Sequence, residues 1–268
     1  MKSATTKKTA KIKRPLINIL KLLKLYSAAK MVKLWTARRK DLRHERQMLE
    51  FYSPFIKRGD LCFDVGANEG KFTKIFLELG AKVVCVEPQE ACLQRLYKSF
   101  GSNKNVIIVG KAVGECEGYG ELMICEDAPT ISTMSSKWKD EGRFSKDYEW
   151  TKTKKVPITT LDALIQVHGP PKFCKIDVEG FEESVLKGLT KPIPFISFEF
   201  TREFFDDAKK CIDHLLSLGR VEFNCSLGES MKFLSQRWVT PGELYEKIGQ
   251  LKDKLLLGDI YAKFHVHN

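Results

Sequence analysis

No two of the eight cysteines form a C-x-x-C pair or stand at a spacing that suits a metal. That removes zinc ribbons, zinc fingers and thioredoxin-like redox motifs from consideration. Several cysteines sit instead in apolar runs, Cys62 in "LCFDV" and Cys85 in "VVCVE". Buried thiols in a reducing compartment fit this better than a disulfide framework. No stretch holds the roughly 18 apolar residues of a membrane helix. The apolar N-terminal segment "INILKLLKLYSAAKMVKLW" is broken by lysine every few residues, unlike a secretory signal. A cytoplasmic protein is expected. Internal repeats are absent, and the basic tail is the only low-complexity segment.

Acidic residues are scarce at one end. Residues 1–46 hold fifteen Lys or Arg against two acids, a balance of +13, whereas the remainder holds thirty against thirty-two. The net charge of +11 therefore belongs to an arm, residues 1–45, attached to a near-neutral domain, residues 46–268. "MKSATTKKTAKIKRP" reads as a disordered basic tail. From Leu16 to Arg39 a polar residue recurs at every third position. On a helix of 3.6 residues per turn this stripe winds around the axis and leaves no fixed apolar face. Two readings stay open: loose packing on the domain, or adsorption to anionic lipid at the inner membrane face or to an acidic polymer, through the lysines and Trp35. Nucleic acid is disfavoured, because the body has no basic balance to extend such a footprint.

With 43% hydrophobic and 29% charged residues, the domain can build a sizeable core. Strand-like and helix-like segments alternate along it. "RGDLCFDVG", "AKVVCVEP", "NVIIVGKAVG", "KFCKIDV" and "PFISFEF" read as strands, four of them followed by helical runs, and "RVEFNCSL" and "GDIYAKFHV" close the chain as strands. Residues 115–156 read as less regular. Apolar strands alternating with helices predict an α/β fold with a mostly parallel sheet covered on both faces.

"FDVGANEG" ends the first strand with Asp64 and turns through Gly66 and Gly70 into a helix. Glycine lets backbone amides approach a ligand, and a helix N-terminus favours an anion. Asn68 stands where a dinucleotide fingerprint has its second glycine, which disfavours a pyrophosphate and an NAD-linked enzyme. About 20 residues on, Glu87 ends the second strand, where a carboxylate can accept both hydroxyls of a ribose.

These motifs resemble class I S-adenosylmethionine-dependent methyltransferases, and more closely the FkbM family. The ordered set is "FDVGANEGKFT", "VVCVEP", "KAVG", "TTLDAL", "KIDVEGFEESVLKG" and "GDIYAKF". It spans about residues 46–268. The resemblance implies a Rossmann-like, seven-stranded sheet whose last strand inserts antiparallel, with the two closing strands as a hairpin. It also implies cofactor contacts at Asp64, Gly66, Ala67, Asn68 and Gly70, a hydrogen bond from Thr73 to the cofactor carboxylate, Glu87 on the ribose, and Lys111 and Ala112 beside the adenine. Residues 115–156 would cover the substrate side.

"KIDVEGFE" crowds Asp177, Glu179 and Glu182 into six residues. In an open parallel sheet ligands lie beyond the carboxyl ends of the strands, so Asp177 is expected to face them and take the proton of an attacking hydroxyl. Glu179 either supports Asp177 or is a helix N-terminal acid favoured by the dipole. Glu182 and Glu183 read as solvated first-turn acids, and Glu199, in "SFEF", is a further strand-end candidate. Clustered carboxylates also suit Mg²⁺, but no histidine stands near them in sequence, and unassisted base catalysis is preferred.

The expected activity is O-methylation of a hydroxyl on a sugar, glycolipid, polysaccharide or polyketide-like small molecule, with an acidic or membrane-bound acceptor suggested by the arm. An RNA methyltransferase is the alternative enzyme, although "DVEG" replaces the Asn/Asp-Pro-Pro-aromatic run of amino-group methyltransferases. A non-catalytic S-adenosylmethionine-binding module is the alternative from another class.

Overall fold

The described chain runs α1 (41–52), β1 (Leu61–Val65), α2 (Lys71–Glu78), β2 (Lys82–Val86), α3 (Glu90–Phe100), β3 (Val106–Val109), β4 (Ala112–Val113), β5 (Gly118–Ile124), α4 (Ser136–Glu141) and β6 (Lys152–Thr159). It continues through α5 (Leu161–His168), β7 (Phe173–Ile176), α6 (Glu182–Lys187), β8 (Phe195–Thr201), α7 (Phe205–Leu218), β9 (Val221–Leu227), α8 (Pro241–Gly249) and β10 (Leu257–Phe264). This computed structural model describes residue 39 and residues 41–265. The chain divides between Gln47 and Met48 into two compact units, and both sheets belong to the second. The lysine-rich helix expected at 16–39 lies, Arg39 apart, outside the described residues. Among the described residues no helix is long and apolar enough to cross a membrane.

Seven strands form one sheet in the order β3-β2-β1-β7-β8-β10-β9. All neighbours are parallel except β10, which is antiparallel to both β8 and β9. The closing strands pair as expected, but α8 lies in their connection, so they are not a tight hairpin. Strand alternation sends Phe63, Val65, Val84, Val86, Cys174 and Ile176 to one face, where they meet α5, α6, α7 and α8. Cys62, Val83, Cys85 and Phe173 go to the other, against Met48 and Tyr52 of α1, Ile75 and Phe76 of α2 and Leu96 of α3. Burial on both faces explains why these strands read as continuous apolar runs. Seven of the eight cysteines are buried as free thiols, and Cys116 is exposed.

The stretch read as irregular contains a second sheet, β4-β6-β5. β5 and β6 pair antiparallel from Gly118↔Ile158 to Ile124↔Lys152. Lys152, Lys154, Lys155 and Glu121 are exposed, so one face is solvated and no apolar run marks the strands. "NVIIVGKAVG" likewise breaks in two, β3 joining the main sheet and β4 the small one.

Candidate active site

Strand register assembles the site. Val65 pairs with Val86 on one side and with Ile176 on the other, so β1, β2 and β7 end level. Gly66, Glu87 and Asp177 are consequently neighbours along one sheet edge. Ile176 pairs with Phe198 and Glu199 pairs with Asp259, which brings two more acids into the row. All five line a cavity of about 490 Å³, within the size range of small-ligand sites.

At the β1–β2 end the cavity is lined by Gly66, Ala67, Asn68, Glu87, Lys111 and Ala112. Gly66 has φ 79°, and a Cβ there would stand 1.8 Å from the carbonyl oxygen of Asp177. No other residue allows β1 and β7 to end this close. Glu87 is buried, and its oxygens accept the N–H groups of Asn68 at 2.9 Å and Gln89 at 2.8 Å. Each oxygen keeps a lone pair for a ligand hydroxyl. Burial pushes the Glu87 carboxyl up to about 7, the two N–H bonds restraining the rise.

Three residues expected to touch the cofactor stand behind the wall. Asp64 Oδ2 accepts the Thr73 hydroxyl at 2.6 Å and its N–H at 2.9 Å. This pins the start of α2 to β1, and the Thr73 hydroxyl is committed there instead of to a ligand carboxylate. Burial still raises the Asp64 carboxyl to about 6. Gly70 adopts φ 85°, and a Cβ on it would lie 2.4 Å from the Phe100 ring. Helix packing explains its glycine.

At the β7–β8 end, one oxygen each of Asp177, Glu179 and Glu199 lies within 4.8 Å of the others. Three such oxygens are also a donor set a hard divalent cation accepts. Glu179 is in the left-handed region at φ 54°, followed by Gly180 at 86°. Backbone strain of this kind concentrates at functional sites. Burial raises the Glu179 and Glu199 carboxyls well above the usual range, and the charges around them add to it, Asp177 and Glu182 for Glu179 and Asp177, Glu179 and Glu182 for Glu199. Asp177 differs: its Oδ2 accepts from Lys175 Nζ at 3.1 Å.

Glu182 corrects the sequence reading. It is 8% exposed, and its Oε1 accepts the N–H groups of Val178 at 3.0 Å and Gly180 at 3.3 Å. Burial pushes it up to about 7. The side chain folds back and ties the turn that carries Glu179. Glu182→Ala is expected to cost about 1–3 kcal/mol by leaving those donors unmatched, read as a lowered urea midpoint, while Glu182→Gln keeps an acceptor oxygen and most of the stability. Glu183 does lie at the surface, paired with Lys187 and Lys210.

Sequence reasoning passed over Lys175, Asp259 and Thr133. Lys175 is 0% exposed, and its Nζ also donates to Asp259 Oδ1 at 2.9 Å. The signal was available: a lysine inside a strand buried on both faces requires an ionic partner. Thr133 donates its hydroxyl to the Glu179 carbonyl at 2.6 Å, fastening the inserted segment to the site. Leu122, Thr133 and Met134 of that segment line the cavity.

A nucleotide-binding α/β sheet with an antiparallel inserted strand, a glycine turn and a strand-end acid defines the class I methyltransferase architecture. The model of the Methyltransferase FkbM domain matches residues 64–224, and the chain belongs to the FkbM methyltransferase family. The hexuronic acid methyltransferase AglP of Haloferax volcanii is 25% identical over 194 residues, covering 71% of this chain and 75% of that protein. Among solved structures, precorrin-6y C5,15-methyltransferase of Geobacter metallireducens is 13% identical, with TM-score 0.43, over 82% of this chain and 87% of that one. Aeropyrum pernix fibrillarin, solved with S-adenosyl-L-methionine, is 11% identical, with TM-score 0.38, over 78% and 68%.

Proposed function

We propose that the chain is an S-adenosylmethionine-dependent O-methyltransferase acting on a hydroxyl of a sugar or glycolipid. The observation that carries this reading is one cavity with Glu87 at one end and the Asp177–Glu179–Glu199 trio at the other. Two strands separate Glu87 from Glu199, roughly 14 Å at the usual strand spacing, room for a nucleoside and an amino-acid tail. The bound donor supplies an electrophilic methyl carbon on a positively charged sulfur. The chain's own part is to hold the ribose on Glu87, to position the acceptor hydroxyl, and to receive its proton on a carboxylate of the trio. Glu179 and Glu199, raised by burial, are the stronger bases, and Asp177, held by Lys175, orients the hydroxyl. A sugar acceptor is supported by the Haloferax relative, whose name specifies a hexuronic acid.

Calorimetry with S-adenosylmethionine and transfer of a labelled methyl group to glycan extracts test this. Absence of cofactor binding overturns it. Glu87→Gln is expected to weaken cofactor affinity about 10–100-fold, the worth of charge-assisted hydrogen bonds to the diol. With Glu87 titrating at about 7, affinity is expected to fall from pH 8 to pH 6 as an acceptor oxygen becomes a donor. In Glu87→Gln that part of the pH dependence should disappear.

A further inference from the structure

Thr73, expected to meet the carboxylate of the donor's amino-acid tail, is bound to Asp64 instead. Among the described residues the cavity wall carries two cations, Lys71 and Lys111. Lys71 opens α2, and its Nζ donates to Glu229 Oε1 at 2.6 Å. Glu229, in the connection from β9 to α8, is a wall residue of the same cavity. We propose that Lys71 and Glu229 receive the amino-acid tail, the lysine taking its carboxylate and the glutamate its ammonium, and that their ion pair opens to admit it. The inference rests on the S-adenosylmethionine reading and assigns the part of the donor that Thr73 does not reach.

Strand order decides between the two lysines. Lys111 follows β3, so it lies on the far side of Glu87 from the trio. A donor with its ribose on Glu87 and its methyl turned toward the trio has its sulfur above the ends of β1 and β7. The tail leaves from that sulfur and is carried to the side of Lys71. The Phe72 ring has the Lys71 ammonium 5.9 Å from its centroid and the Lys175 ammonium at 5.0 Å. One ring therefore separates Lys71 from the Lys175–Asp177 pair at the end of β7.

The chemistry of the tail matches the pair. A free amino-acid end carries an ammonium and a carboxylate on one carbon, and a Lys–Glu pair offers the opposite charges side by side. The two side chains are 49% and 72% exposed, and a solvated ion pair contributes little, so opening it costs little. Two charge-assisted bonds to the tail then replace one within the chain. The helix adds to the attraction for a carboxylate. Its first turn holds no acidic residue and its N-cap, Gly70, has no side chain to cap it, although Asp64 takes the Thr73 N–H. A positive helix end of this kind favours an anion.

Calorimetry on the full chain with three ligands tests this. They are S-adenosylhomocysteine, methylthioadenosine, which lacks the amino-acid tail, and deaminated S-adenosylhomocysteine, which keeps the carboxylate without the ammonium. Lys71→Met is expected to weaken S-adenosylhomocysteine about 10–100-fold and to leave methylthioadenosine within about twofold. Glu229→Gln is expected to weaken S-adenosylhomocysteine several-fold and to tighten the deaminated analogue, which no longer competes with Glu229 for Lys71. A pair that only fastened the 228–231 loop to α2 would affect all three ligands alike. Equal losses of S-adenosylhomocysteine and methylthioadenosine in Lys71→Met therefore overturn the proposal, as does an unchanged affinity for both. Weaker binding of the deaminated analogue to Glu229→Gln overturns it as well. A parent chain that binds neither S-adenosylhomocysteine nor methylthioadenosine sinks the S-adenosylmethionine reading itself, whereas binding of both with the wrong response to the variants sinks only the tail assignment.

Discussion

Lys175→Met is expected to lower the unfolding free energy by about 3–5 kcal/mol, the cost of removing one partner from a buried ion pair. Burial alone would disfavour the ammonium, but Asp177 and Asp259 hold its pKa well above the ordinary lysine range. Nζ donates to both carboxylates and to the Ile176 carbonyl, and the Phe72 ring lies 5.0 Å from it. Methionine fills a similar volume but leaves Asp259 buried and Asp177 without its anchor. Urea denaturation should show the loss as a lowered midpoint at constant slope. Adding Asp259→Asn should recover part of it, because the uncompensated charge is then gone. A variant as stable as the parent would mean that water reaches the two acids unaided.

The second large effect is on turnover. Glu199→Gln is expected to reduce kcat by about 10²–10⁴-fold, the usual range for a general base, while cofactor affinity stays near that of the parent. In the parent, rate should rise with pH through a value well above the carboxylate range, and this rise should vanish in the variant. Asp177→Asn is expected to lose less, because its carboxylate is engaged by Lys175 and its proposed part is orientation. Should Asp177→Asn abolish transfer and Glu199→Gln leave it intact, the two roles are exchanged. Stability carries the opposite pH sign. Glu87 and Glu182, raised to about 7 from an ordinary value near 4.3, contribute stability that is complete below about 4.3 and is lost as pH rises through 7. The ligand-free chain should therefore soften toward pH 8, where its crevice is best charged to receive a cationic donor.

The main sheet was legible because both of its faces are covered, so each strand declares itself as an apolar run. The small sheet was not, since β5 and β6 alternate with solvent on one side and read as charged loop. Among site residues, Gly66, Asn68, Glu87 and the Asp177–Glu179–Glu199 set reach the cavity from positions a strand-end argument can find. Thr73 and Glu182 show where such an argument stops. Each lies in a conspicuous motif, but a side chain that turns back to bond its own neighbourhood, Thr73 to Asp64 and Glu182 to Val178, has no separate signature in a linear pattern. Lys175 was readable in principle, by asking what could neutralise a cation inside "FCKIDV".

The inserted segment leaves and rejoins the core at one point, since Ala112 pairs with Ile158 and Val113 with Thr159. Its two ends are therefore already closed by backbone hydrogen bonds. Lengthening or shortening what lies between them adds little loop-closure entropy, about 0.6 kcal/mol for each doubling of length. Under the proposed function, exchanging the segment is expected to alter which acceptor is admitted while the strand ends proposed to hold the donor keep their register, provided the Thr133 contact to the Glu179 carbonyl is retained.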